Sequence, residues 1–133
     1  MFKILVTEDE QITAKIIGRG LKNFNFQIYI ANDAYSCVEM AHRIKPDLIV
    51  LDMMLPGGNG ISVLQRLKVS SHTRDIPVVA LTSVDDEDFK NKAIEQGISV
   101  YLAKPFNPGI MLKTISELLC IDEEFKKEVC QIA

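Results

Sequence analysis

An α/β fold with a parallel sheet covered by helices on both sides is what this chain of 133 residues predicts. Strand-length apolar runs alternate five times with stretches whose apolar residues recur at helical spacing. Four of the runs also end in a polar residue with chemistry of its own. Ile4-Leu5-Val6 leads to Glu8 and Asp9, Leu48-Ile49-Val50-Leu51 to Asp52, Val78-Val79-Ala80-Leu81 to Thr82, and Val100-Tyr101-Leu102-Ala103 to Lys104. Continuous apolar runs mark strands buried on both faces, as parallel strands joined by helical crossovers are.

The elements follow in order. Ile4 to Thr7 is the first strand. Ile12, Ile16, Ile17 and Leu21 recur at helical spacing, although Gly18 and Gly20 each cost up to ~1 kcal/mol relative to Ala. Phe26 to Ile30 alternates as an outer strand. Ala34 to Ile44 carries an apolar helical face of Cys37, Val38, Ala41 and Ile44, and Pro46 stops it. Leu48 to Leu51 is the third strand. Leu55 to Gly60 is rich in turn residues, and Ile61, Val63, Leu64 and Leu67 then mark a helix. Ser70 to Asp75 reads as a polar connection to the fourth strand, Ile76 to Leu81. Asp85 to Gln96 is a helix with acidic residues at its dipole-positive end, and Gly97 is its stop. Ile98 to Ala103 is the fifth strand, and Pro108 opens a last helix through Leu119. The chain thus divides into one domain over 2–121 and an extension over 122–133, whose Phe125, Val129 and Ile132 keep helical spacing.

Composition bounds the function. With 47% hydrophobic and 25% charged residues the chain has a core of its own. A net charge of −3 gives no excess of positive charge for phosphate backbones, so direct nucleic-acid binding is not expected. Cys37, Cys120 and Cys130 fit neither a disulfide framework nor a zinc spacing, and are expected to be inert thiols in a reducing compartment. Met1-Phe2-Lys3 runs straight into a strand, and no apolar stretch approaches the ~20 residues of a membrane span. A cytoplasmic protein without membrane contact is the expectation.

In an open α/β sheet, ligands bind beyond the carboxyl ends of the central strands. Glu8, Asp9, Asp52, Thr82 and Lys104 all fall there. Three carboxylates brought together repel one another unless a cation intervenes, and Mg²⁺, with its hard oxygen ligands, is the candidate. Asp9 and Asp52 are assigned as direct ligands, Glu8 as a ligand through water, and the backbone carbonyl of Met54 as a further ligand. Taken alone, Glu8 and Asp9 would more often be helix-capping acids. Asp52 can also act as a nucleophile toward phosphorus and form an acyl phosphate. Such transfer needs in-line positioning and charge stabilisation, which the Lys104 ammonium and the Thr82 hydroxyl can give to phosphoryl oxygens. His42 and His72 lie away from these residues and receive no catalytic part.

The pair Glu8-Asp9, the run Asp52-Met53-Met54-Leu55-Pro56 leading to Gly60, Thr82-Ser83, and Lys104-Pro105-Phe106 together resemble the receiver domain of two-component response regulators, of the chemotaxis-regulator type. The resemblance covers residues 2 to about 120. It implies a flavodoxin-like (βα)5 three-layer sandwich with a five-stranded parallel sheet in order 2-1-3-4-5. It further implies an aspartyl phosphate at Asp52, donated by a sensor histidine kinase, a phosphotransfer protein or a small phosphodonor. A cis peptide between Lys104 and Pro105 is implied as well. The protein would then be a phosphorylation-dependent switch with self-catalysed phosphorylation and dephosphorylation, rather than an enzyme acting on a separate substrate. In that switch Thr82 is drawn toward the phosphoryl group and Tyr101 turns from exposed to buried. A downstream protein would bind the face formed by the last two helices and the Tyr101 strand.

Three departures refine the expectation. Gly58 stands where such domains commonly have a bulkier apolar residue, which predicts a more mobile loop. Ser99, Val100, Gly109, Ile110 and Thr114 are uncharged where many DNA-binding relatives carry charges, which disfavours a charged dimer. Met54 and Val84 are apolar at positions that tune hydrolysis, which predicts slow loss of phosphate. A haloacid-dehalogenase-type phosphohydrolase would want a second aspartate where Met54 stands. A nucleotide-binding module would want a GxGxxG or GxxxxGK[ST] loop, and neither occurs. A receiver-like scaffold that is never phosphorylated is the remaining alternative.

Overall fold

The protein was described from a computed structural model, in which residues 2–8, 15, 19, 26–55, 58–82, 87–103 and 108–119 are described. Five strands form one sheet: β1 (Lys3–Thr7), β2 (Gln27–Ala31), β3 (Leu48–Asp52), β4 (Val78–Thr82) and β5 (Val100–Ala103). All neighbours pair in parallel, in the spatial order β2-β1-β3-β4-β5, which is the expected 2-1-3-4-5. Four helices, α1 (Ala34–Ile44), α2 (Gly60–Val69), α3 (Glu87–Glu95) and α4 (Pro108–Leu118), connect or follow them.

Strand alternation divides the core into two. Leu5, Ile49, Leu51, Val78 and Ala80 face a layer made by Cys37 and Ala41 of α1, Val63, Leu64 and Leu67 of α2, and Ala93 of α3. Ile4, Val6, Leu48, Val50, Val79 and Leu81 face the other way, onto Met111, Leu112 and Ile115 of α4. A sheet with both faces covered explains why β3 and β4 read as unbroken apolar runs. Each fully buried Leu or Ile in these layers contributes roughly 1.5–3 kcal/mol relative to exposure. Of the helix expected around Ile12 to Leu21, only Lys15 and Arg19 fall among the described residues, and both are helical and exposed.

The ends of α1 are set by local chemistry. The Asp33 carboxylate accepts from the Ser36 backbone N–H at 2.7 Å and caps the first turn. At the other end Lys45 takes a left-handed conformation, φ 53°, and its N–H bonds to the Ala41 carbonyl. Pro46 then disfavours any further helical residue before it. Gly97, φ 92°, supplies the stop expected after α3. The connection between α2 and β4 is more than polar filler: Thr73 is buried and its hydroxyl donates to the Leu67 carbonyl at 2.6 Å. Lys68 spans the same bend by donating to the Arg74 carbonyl, and partial burial lowers its ammonium from the ordinary lysine value. His42 joins α1 to this bend, with Nδ1 on the Val38 carbonyl and Nε2 on the Ser70 hydroxyl, a packing role away from the strand ends.

Strand limits differ from the expectation by one or two residues. β2 and β4 start one and two residues later, and each ends one residue later because pairing extends to Ala31 and Thr82. No helix among the described residues is long and apolar enough to cross a membrane.

Hydrogen bonding from Ser36 holds the Asp33 carboxyl below its ordinary value of 3.8. A depressed folded-state value means stabilisation that is present above the unfolded value and lost as pH falls through the folded one. Asp33→Ala therefore lowers the urea midpoint at pH 7, and the gap between parent and variant closes as pH falls through the lowered Asp33 value. Asp33→Asn keeps most of the cap, and its difference from Asp33→Ala persists into acid.

Candidate functional site

The polar terminators of the strands meet at one edge. In the parallel register Thr7 lies beside Leu51, so Glu8 follows on β1 where Asp52 ends β3. Asp52 in turn pairs with Leu81, and Thr82 is the next residue on β4. Thr82 pairs with Ala103, the last residue before Lys104 in the chain. Glu8, Asp52 and Thr82 are all buried, at 0%, 3% and 1% exposure. Asp9, Lys104 and Pro105 lie outside the described residues, as do Ser83, Val84 and Phe106.

Backbone bonds carry the ladders past the strand ends and fix this edge. The Glu8 N–H donates to the Ala31 carbonyl at 3.1 Å, and the Met53 N–H to the Leu81 carbonyl at 2.8 Å. Asp52 Oδ1 accepts from the Met54 N–H at 3.0 Å, an aspartate-stabilised turn that orients the carboxylate. The Gly60 N–H returns to the Met53 carbonyl at 2.9 Å. Between them Met54–Leu55 and Gly58–Asn59 pair as a short antiparallel ribbon, an order in the Gly58 loop that its composition does not announce.

Met53 and Met54 take opposite roles. Met53 is fully buried in the α1/α2 layer, whereas Met54 is 53% exposed. Gly60 makes the burial possible, because a Cβ there would come within 2.7 Å of Met53 Cα and 2.6 Å of its sulfur. Beneath the edge, the Thr7 hydroxyl donates to Cys37 Sγ at 3.1 Å. Burial pushes the Cys37 thiol up to about 11, so it stays protonated at neutral pH, as expected of an inert cysteine. Tyr101, two residues before the end of β5, is half-buried against the α1/α2 layer, and Lys90 Nζ lies 5.5 Å from its ring centroid. The Lys90 contact and the place of Gly60 under Met53 depend on how the helices pack, which one-dimensional spacing does not encode.

The family profile of the response regulator receiver domain matches residues 4–116. The chain belongs to this family. It is a receiver domain of two-component signalling, a family of signalling switches, with the flavodoxin-like fold. Over 117 residues the receiver is 40% identical to the phosphate regulon transcriptional regulatory protein PhoB of Escherichia coli K12, covering 88% of this chain and 51% of that protein. The chain thus spans about half the length of the curated relatives it matches. Among solved structures, the signal receiver domain of a DNA-binding response regulator protein from Colwellia psychrerythraea 34H superposes with a TM-score of 0.83 at 30% identity, covering 90% of this chain and 98% of that one. The receiver domain of a sensor histidine kinase from Pseudomonas aeruginosa PAO1, crystallised with a magnesium ion coordinated in its active-site cleft, shares the fold. Its TM-score is 0.83 at 24% identity, with 90% and 98% of the two chains covered.

The donor set of this receiver suits a hard divalent cation. Glu8 and Asp52 bring two buried carboxylates to adjacent strand ends, and Asp9 follows Glu8 in the chain. Buried carboxylates side by side are tolerated where a cation or several hydrogen bonds offset their mutual repulsion. Oxygen donors of this kind match the preference of Mg²⁺.

Gly60→Ala tests the loop that carries the edge. Forcing a methyl group into the backbone of Met53 is expected to cost about 1–3 kcal/mol in denaturant unfolding. Leu64→Val on α2, a mild truncation away from that contact, is expected to cost about 1 kcal/mol.

Proposed function

We propose that this receiver accepts a phosphoryl group on Asp52 from a sensor histidine kinase or phosphotransfer protein, in a Mg²⁺-dependent reaction, and thereby changes its protein-binding face. The observation that carries this reading is the burial of Glu8 and Asp52 at neighbouring strand ends, with Thr82 on the next strand. Glu8, Asp9, Asp52 and the Met54 backbone carbonyl are the residues that would hold Mg²⁺, and the ion would supply charge neutralisation for carboxylate and phosphoryl oxygens.

In the proposed reaction an Asp52 carboxylate oxygen attacks phosphorus in line. The new O–P bond forms as the bond from phosphorus to the donor breaks, and the bonding pair leaves with the donor. The Met54 N–H at Oδ1 orients the carboxylate so that little reorganisation is needed at that moment. The Lys104 ammonium and the Thr82 hydroxyl are assigned to phosphoryl oxygens. Hydrolysis by water at phosphorus returns the carboxylate, so both reactions are self-catalysed and no separate substrate is processed.

Phosphorylation takes Asp52 from −1 to roughly −2 and adds acceptor oxygens, enough to bias a nearby loop between two arrangements. We assign the Thr82 hydroxyl as the group drawn inward and Tyr101 as the aromatic that responds. Tyr101 pairs with Ala80, two residues before Thr82 on the neighbouring strand, so the two switch residues share one ladder. The output face is assigned to α3, β5 and α4, where Ile94 and Ile110 are 51% and 49% exposed. Ser99 and Ile110 offer this face no charge, which favours an apolar protein contact over a charged receiver pair.

Incubation with acetyl phosphate and Mg²⁺, read by intact mass, is expected to add one phosphoryl group to the parent and none to Asp52→Asn. EDTA is expected to abolish the adduct. An adduct on neither protein favours a scaffold that works without phosphorylation. Met54→Asn is expected to shorten the adduct lifetime by roughly two- to tenfold, the worth of one hydrogen bond to the attacking water. An equal lifetime would show that apolar cover at this position does not slow hydrolysis.

A further inference from the structure

We propose that the Met54 side chain is a redox modification site, at which peroxide-class oxidants convert the thioether to a sulfoxide and shorten the life of the phosphorylated state. The second half of this inference rests on Asp52 as the phosphoacceptor; the first half does not. Among the described residues Met54 is the methionine set out for solvent. Met54 is 53% exposed, while Met53 and Met111 are at 0% and 2% and Met40 is half-buried. Peroxide reaches sulfur by direct contact, so exposure decides which thioether reacts first.

Location gives the modification its consequence. Met54 is two residues from Asp52, and its N–H is bonded to the Asp52 carboxylate at 3.0 Å. Its neighbour Met53 is fully buried against Gly60, out of reach of solvent. The next residue, Leu55, pairs with Gly58 in the short ribbon, so Met54 has a defined place at the rim of the edge. An apolar thioether there hinders water, whereas a sulfoxide oxygen is a strong acceptor that can align a water for attack on phosphorus.

The chemistry balances with the oxidant named. A sulfur lone pair of Met54 attacks one peroxide oxygen, the S–O bond forms, and the O–O bond breaks. Sulfur is oxidised by two electrons, peroxide is reduced by two, and the departing hydroxide takes the proton of the oxygen now bound to sulfur and leaves as water. Cys37 does not compete, because it is buried with the Thr7 hydroxyl on its sulfur and little of it is thiolate at neutral pH.

The test uses the full chain. Brief hydrogen peroxide treatment is followed by thiol reduction, which reverses sulfenic acids and disulfides but leaves sulfoxides in place. Peptide mapping is expected to find sulfoxide at Met54 well before Met53 or Met111, and equal or slower oxidation of Met54 overturns the proposal. The oxidised parent, phosphorylated by acetyl phosphate and Mg²⁺, is expected to lose its adduct about two- to tenfold faster than the untreated parent. Methionine sulfoxide reductases are expected to restore the original lifetime. Met54→Leu, which has no sulfur, is expected to show the same lifetime with and without peroxide. A lifetime unmoved by oxidation of the parent, or moved equally in Met54→Leu, overturns the switch. If no adduct forms on the untreated parent, the Asp52 reading fails and the switch fails with it. The sulfoxide map then still decides the site of oxidation by itself.

Discussion

The parallel register of β1, β3 and β4 is the constraint on which the rest of this molecule depends. Because both faces of the sheet are apolar, hydrophobic alternation alone discriminates poorly between registers. The polar terminators do it instead. A shift of β3 by one residue toward the sheet interior would draw Asp52 between the two apolar layers, where an ionised carboxylate costs several kcal/mol. A shift the other way would push Leu51, now fully buried, into the place Asp52 holds. The same core that stabilises the fold therefore sets Glu8, Asp52 and Thr82 side by side, and no separate interaction is needed to assemble the edge.

An edge assembled in this way carries a cost of its own. Glu8 and Asp52 are almost wholly removed from solvent yet sit on adjacent strands. Functional sites commonly retain arrangements that a core optimised for stability would replace with apolar side chains. Support comes from the backbone: the N–H groups of Glu8, Met53 and Met54 are all committed, to Ala31, Leu81 and Asp52 respectively. The first two fix the backbone that carries the carboxylates, and the third bonds the Asp52 carboxylate itself.

Much of this was legible in the sequence, for identifiable reasons. Leu48 to Leu51 ending in Asp52 announces both a buried strand and its exit, since an apolar run and a carboxylate are unambiguous in one dimension. Ala34 to Ile44 was legible to the residue because its apolar face keeps helical spacing and Pro46 stops it, while the Asp33 cap came from the structure. What spacing could not convey was contact between elements. Thr7 on Cys37, His42 on Ser70 and Lys90 over Tyr101 join residues 30, 28 and 11 positions apart, and each depends on helix placement. The ribbon of Met54–Leu55 with Gly58–Asn59 was hidden for another reason: Pro56, Gly57 and Gly58 read as turn residues whatever their flanks do.

The loop from Asp52 to Gly60 shows how one short segment can serve the core and the site together. Successive residues there alternate in duty. Asp52 faces the edge, Met53 anchors in the α1/α2 layer, and Met54 stands at the rim with its N–H turned back to the carboxylate. The anchor needs Gly60, whose missing side chain lets the start of α2 close onto Met53. Core packing thus ties the position of α2 to the orientation of Asp52 through a single buried thioether. In the proposed switch a new charge at Asp52 would stand between buried Met53 on one side and the β4–β5 ladder on the other. Since packed interiors resist continuous deformation, a change in charge between such neighbours favours a discrete rearrangement over a gradual one. In the proposed switch the ladder that joins Thr82 to Ala103 and Ala80 to Tyr101 is the short route by which that rearrangement reaches the face of Ile94 and Ile110.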